Sequence, residues 1–144
     1  NIFNKITTIH KLPIVWPVHP RTKKNLSNFI FNKKNQIKLI NPLGYFDFLS
    51  LQKNAKLILT DSGGVQEEAC ILKIPCVTLR NSTERPETIK IKSNIISGYE
   101  EKVILMNIKK MLSRKNIWRN PFGDGNSSHK ILSILKKELK NKKK

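Results

Sequence analysis

Residues 56–68 read Lys56-Leu57-Ile58-Leu59-Thr60-Asp61-Ser62-Gly63-Gly64-Val65-Gln66-Glu67-Glu68. The first five suit a short buried strand: apolar, part β-branched, and bounded by turn formers. Asp61 and Ser62 punctuate the run. Helical spacing then takes over across 64–73, with Val65, Ala69 and Leu72 expected on the inward face. A buried strand that runs straight into a helix is the repeating unit of a parallel sheet.

The same alternation extends in both directions. Upstream, Ile14 to Val18 reads as a strand ending at His19-Pro20, and 22–32 as a helix carrying Leu26, Phe29 and Ile30. Ile37 to Ile40 is a second strand closed by Asn41-Pro42, and Phe46, Leu49 and Ala55 mark a short helix across 45–54. Downstream come a strand at 75–79, a short helix at 86–91 and a strand at 94–96. Val103, Leu105, Ile108 and Leu112 give a long amphipathic helix at 100–114, and a turn at 120–125 precedes a last helix from Ser128 to Leu139. The expected architecture is α/β: a three-layer, Rossmann-like parallel sheet with helices on both faces. One domain covers 1–135, and 136–144 is a Lys-rich helix end that frays into solvent.

Ligands of such sheets bind beyond the carboxyl ends of the strands. His19, Asn41, Asp61 and Arg80 stand at those ends, and the loop after Thr60 is the sharpest of them. Adjacent glycines at 63 and 64 allow close approach of a ligand and positive φ where needed. The first-turn N–H groups lack helical partners, and the helix dipole favours an anion there. Ser62 adds a hydroxyl donor, and Glu68, one turn on, can accept two hydrogen bonds from a vicinal diol. Phosphate at the mouth and ribose one turn in is what a nucleoside diphosphate requires. The same residues also fit a plain strand-to-helix turn capped by Asp61 or Ser62, and spacing alone does not separate the two.

The next loop, Arg80-Asn81-Ser82-Thr83-Glu84-Arg85-Pro86-Glu87, leads into a helix with Pro86 near its first position. It offers two guanidinium groups to the same crevice, suited to phosphate. Surface ion pairing among Arg80, Glu84, Arg85 and Glu87 is the other reading.

The chain has 144 residues and a formal net charge of +18, from 28 basic against 10 acidic residues. All but five of the bases are lysines, spread along the chain and mixed with Asn and Ile, which fits a solvated surface better than a nucleic-acid face. No apolar run approaches the roughly 20 residues of a membrane span. The start, Asn1-Ile2-Phe3-Asn4-Lys5, has no signal-peptide pattern and no methionine, so the chain is expected to begin partway through a longer protein. Cys70 and Cys76 are spaced neither as a redox pair nor as a metal knuckle and read as reduced core thiols of a cytoplasmic protein.

Leu59 through Ala69, followed by Pro75, Arg80 and Thr83-Glu84-Arg85-Pro86-Glu87, resembles the non-hydrolysing UDP-N-acetylglucosamine 2-epimerases. Pro17-Val18-His19-Pro20-Arg21-Thr22, Pro42-Leu43-Gly44-Tyr45 with Phe48, and Asn120 to Gly125 extend the likeness from about residue 12 to 135. It implies the carboxy-terminal half of a two-domain GT-B fold, with the first strand of that half missing, and a homodimer. It implies interconversion of UDP-GlcNAc and UDP-ManNAc by elimination of UDP and re-addition, without metal, nicotinamide or other cofactor. Ser62 and Gly63 would hold phosphate with Gly64 adjoining. Glu68 would hold ribose, Phe48 would lie at the uracil, and Arg85 would point into the cleft. His19 sits at a matching strand end as a further candidate contact.

The resemblance implies that the family's proton-transfer carboxylates and its His-Arg-x-Glu-Asn loop lie in the amino-terminal half or at the start of this half. This chain carries no such segment. The amino-terminal half is expected to be its missing partner, and the catalytic residues are unknown here. Ser93-Asn94 replaces a glycine usual before the next strand, a change expected at the cleft edge. Two other functions stay open: a different GT-B sugar-nucleotide enzyme, or a polyanion binder whose DNA affinity is strongly salt-dependent and survives Glu68→Ala.

Overall fold

The computed structural model describes residues 2–26 and 36–141. Along them run α1 (Ile2–His10), β1 (Ile14–Pro17), α2 (Pro20–Asn25), β2 (Ile37–Ile40), α3 (Tyr45–Lys53) and β3 (Ile58–Thr60). They continue with α4 (Gly63–Ile71), β4 (Cys76–Thr78), α5 (Pro86–Lys90), β5 (Asn94–Ile96), α6 (Glu101–Leu112) and α7 (Ser127–Asn141). The expected helix at 22–32 starts earlier, at Pro20 with His19 as N-cap, and Phe29 and Ile30 lie outside the described residues.

Every ladder is parallel. Ile14 to Pro17 pairs with Ile37 to Ile40, while β3, β4 and β5 align with Thr60, Thr78 and Ile96 abreast. Among the described residues these form two sheets, of two and three strands, rather than one continuous ladder.

Alternation along β4 builds the layers. Val77 points into a core with Ile6 of α1 and Ile104, Ile108 and Met111 of α6. Its neighbour Cys76 points the other way, to Ile58 and to Ala69 of α4. Helices therefore cover both faces of the three-stranded sheet.

α6 keeps its expected place, but its most buried stripe is Ile104, Asn107, Ile108 and Met111, at i, i+3, i+4 and i+7. Val103, Leu105 and Leu112 flank it, half-buried. α1 was not anticipated from the sequence. Its Ile2, Phe3 and Ile6 close the core, with the Phe3 ring tilted against Trp16 at 5.1 Å between centroids. Asn120 ties the 120–125 turn by accepting from the Phe122 N–H and donating to the Gly123 carbonyl, and Gly123 and Gly125 take φ of 96° and 83°. α7 is exposed along its whole length and runs unbroken past residue 136. No described helix is long and apolar enough to cross a membrane.

Both cysteines are buried free thiols, as expected. Burial pushes the Cys76 thiol up to about 12. Below pH 9 the thiol is protonated in both the folded and the unfolded chain. Above pH 9 only the unfolded chain releases the proton, so stability falls as pH rises from 9 toward 12. Denaturant titrations at pH 8 and 10.5 should show this loss, and Cys76→Ala should flatten it.

Candidate functional site

Because Thr60, Thr78 and Ile96 are in register, the loops that follow them open on one edge of the sheet. The first loop becomes α4 with Ser62 as N-cap, in extended conformation and with no side-chain cap bond, which leaves its hydroxyl uncommitted. The Ser62 N–H donates to Thr60 Oγ1 at 3.0 Å, and the helix ladder begins with Gln66 N–H to the Ser62 carbonyl at 3.2 Å. Ser62 and Gly64 face solvent, while Gly63 is buried.

Neither Gly63 nor Gly64 uses the left-handed region that their residue type allows. What position 63 requires is space. A Cβ there would stand 2.5 Å from Glu84 Oε1.

A carboxylate therefore already rests against the first turn of α4. Arg80 Nη1 donates to Glu84 Oε2 at 2.9 Å and to the Asp61 carbonyl at 3.4 Å, bridging the two loops. The backbone N–H of Glu84 itself, with Arg80 and Arg85 nearby, holds the Glu84 carboxyl below the usual range. Arg85 is half-buried, its Nε ion-paired with Glu67 of α4 and its Nη1 donating to the Glu84 carbonyl at 3.1 Å. Arg80, Glu84, Arg85 and Glu67 thus form a small charged rim. The ion pairing foreseen as the alternative reading is present at Arg80–Glu84.

The second group lies along α3 and α4. Phe48 and Glu68 are both half-buried. Gln52, one turn after Phe48 and 3% exposed, donates from Nε2 to Glu68 Oε2 at 2.6 Å. His19 stands apart from these contacts. It is exposed at the end of β1, and its Nδ1 accepts from the Arg21 N–H at 3.3 Å.

A buried polar network beneath the loops is not visible in the sequence. Gln66 is fully buried, and its Oε1 accepts from Thr83 Oγ1 at 2.5 Å and Asn94 Nδ2 at 3.1 Å. Asn94 Oδ1 accepts from Thr78 Oγ1 at 2.8 Å. Thr83 Oγ1 also accepts the Arg85 N–H at 3.0 Å, and Thr88 Oγ1 donates to the Arg85 carbonyl at 2.7 Å. Both backbone groups of Arg85 are tied down. Ser93 and Asn94, 1% and 3% exposed, belong to this interior and not to the cleft edge expected from the sequence. One signal was available: Gln66 is three residues from Gly63 and three from Ala69, on the face that turns inward.

The family model described as UDP-N-acetylglucosamine 2-epimerase matches residues 1–136 of the chain. The chain belongs to that family. The epimerase of Methanococcus maripaludis is 52% identical over 95% of this chain, and that of Methanocaldococcus jannaschii 51% over 91%. The solved structure of the Methanocaldococcus jannaschii enzyme superposes with a TM-score of 0.84 at 49% identity over 92% of this chain. A second structure of that enzyme, in complex with UDP-GlcNAc and UDP, gives 0.83 at the same identity and coverage.

Those relatives are much longer: this epimerase-family chain spans 38% and 37% of the two curated sequences. The α/β fold with parallel strands is that of the family.

Proposed function

We propose that this chain is the UDP-gripping, carboxy-terminal half of a cytoplasmic, homodimeric UDP-N-acetylglucosamine 2-epimerase, whose proton-transfer groups are supplied by an amino-terminal half. The observation that carries the reading is the open first turn of α4, with Ser62 uncapped beside Gly63 and an anionic side chain already resting there. Incoming diphosphate takes the place of the Glu84 carboxylate and inherits Arg80. Ser62 and the amides of Gly63 and Gly64 hold phosphate oxygens, Glu68 takes the ribose hydroxyls, and Phe48 lies against the uracil. Arg85, fixed through its backbone by Thr83 and Thr88, exchanges Glu67 for the substrate. His19 is a contact at the outer edge of the cleft.

Inversion at C2 of UDP-GlcNAc to UDP-ManNAc requires a base at the C2 proton and stabilisation of departing UDP. This chain supplies the second. In a GT-B arrangement the base comes from across the cleft.

The purified chain is expected to bind UDP weakly and saturably in titration calorimetry and to show no epimerisation by NMR. Gly63→Ala should weaken UDP about tenfold, roughly 1.4 kcal/mol. Its Cβ occupies the space the phosphate needs, while the exposed Glu84 side chain can swing aside at little cost to stability. Turnover by the 144-residue chain alone, or full UDP affinity in the alanine variant, contradicts the assignment.

A further inference from the structure

We infer that Gln52 is the positioning residue that sets the ribose specificity of this site, by fixing the carboxylate plane of Glu68. The inference rests on the proposed role of Glu68 at the ribose.

Gln52 lies on α3 four residues after Phe48, so the two share the face that packs on α4. A carboxylate can only accept hydrogen bonds, so the Gln52 amide must present its NH2 to Glu68. That 2.6 Å contact uses one lone pair of Oε2 and fixes the rotation of the carboxylate. Oε1 and the second lone pair of Oε2 stay available, enough for two neighbouring hydroxyls.

The arrangement leaves the other Gln52 atom, Oε1, buried without a partner. An unpartnered buried acceptor destabilises a fold, and a leucine or methionine at 52 would avoid it. Gln52 is thus poorly explained by packing and well explained by what it does to Glu68. Its neutrality matters too. A lysine or arginine would fix the carboxylate equally well but would neutralise it, whereas an amide leaves the full charge to strengthen the bonds from the sugar hydroxyls.

Discrimination against a sugar lacking the 2′-hydroxyl should therefore depend on Gln52. The test compares UDP and 2′-deoxy-UDP binding to the intact chain and to Gln52→Met, which keeps the side-chain length and removes the donor. The unaltered chain should favour UDP by about tenfold or more, the worth of one charge-assisted hydrogen bond. In Gln52→Met the preference should fall below about threefold, with UDP weakened more than the deoxy ligand, which keeps only the 3′-hydroxyl contact to lose. In a Glu68→Gln background the same change should have no further effect on the ratio.

An unchanged ratio, or an equal loss for both ligands, overturns the inference, because a merely structural role weakens both alike. Failure of the unaltered chain to bind UDP at all overturns the sugar-nucleotide reading itself. If Gln52→Met does not fold, the Gln52 side-chain amide signal of the unaltered chain decides instead. Saturating UDP should move it more than saturating 2′-deoxy-UDP, and equal shifts overturn the proposal.

Discussion

Gln66→Ala is expected to destabilise the chain by about 3–5 kcal/mol and to lower its melting temperature by roughly 10 °C or more. Two losses combine. The fully buried side chain leaves a cavity, and its Oε1 withdraws the acceptor from Thr83 Oγ1 and Asn94 Nδ2. Asn94 keeps a second acceptor in Thr88 Oγ1 at 3.2 Å, so Thr83 loses most.

Gln66→Leu separates the two contributions. It refills the volume and also removes the Gln66 Nε2 donor, which is buried without a partner. Its cost should be only about 1–3 kcal/mol. Thermal and urea denaturation of both variants check this. Melting of the alanine variant within about 3 °C of the unaltered chain means that the network contributes little. Against the roughly 5–15 kcal/mol typical of a domain, the expected loss brings the chain close to unfolding at 37 °C.

Glu68→Ala should weaken UDP about 100-fold, since the two charge-assisted hydrogen bonds proposed to the ribose would be lost at roughly 1.5 kcal/mol or more each. The sign is informative. UDP is an anion, so if charge alone governed its binding, removing a carboxylate would raise affinity. A fall therefore excludes a pure charge effect. The same variant separates the polyanion alternative, in which steeply salt-dependent DNA binding survives the substitution. Calorimetry with UDP, and a salt series with duplex DNA, give both results. Equal or tighter UDP binding by Glu68→Ala would remove ribose recognition from this residue.

The residues proposed to face the ligand and those that support them were not equally legible. Ser62, Gly63 and Gly64 announce themselves because a strand, a polar break and a glycine pair can be read locally, in one dimension. Glu68 follows by counting one helical turn. Gln52 could not be found in this way, and for Gln66 counting gives only the face it shares with Gly63 and Ala69, not its partners. Each acts on a residue brought close only by packing: Gln52 reaches Glu68 across the α3–α4 contact, and Gln66 reaches Thr83 and Asn94 across the sheet edge. Apolar periodicity placed Val65 and Ala69 correctly against the core but missed Gly63 and Gln66 among the most buried positions of α4, because those two carry no hydrophobic signal.

Local chain chemistry alone determined the alternation of strands and helices from β1 onward, their parallel direction, and the glycine-bearing turn after Thr60. Backbone preferences and the apolar repeat act over a few residues and need no knowledge of neighbours. Tertiary structure decided the rest: that α1 closes the core, that Glu84 rests on Gly63, that Arg85 leans on Glu67, and that Ser93 and Asn94 lie in the interior. Hydrogen bonds and ion pairs between distant segments depend on distances of a few tenths of an ångström, and only the folded packing sets those distances.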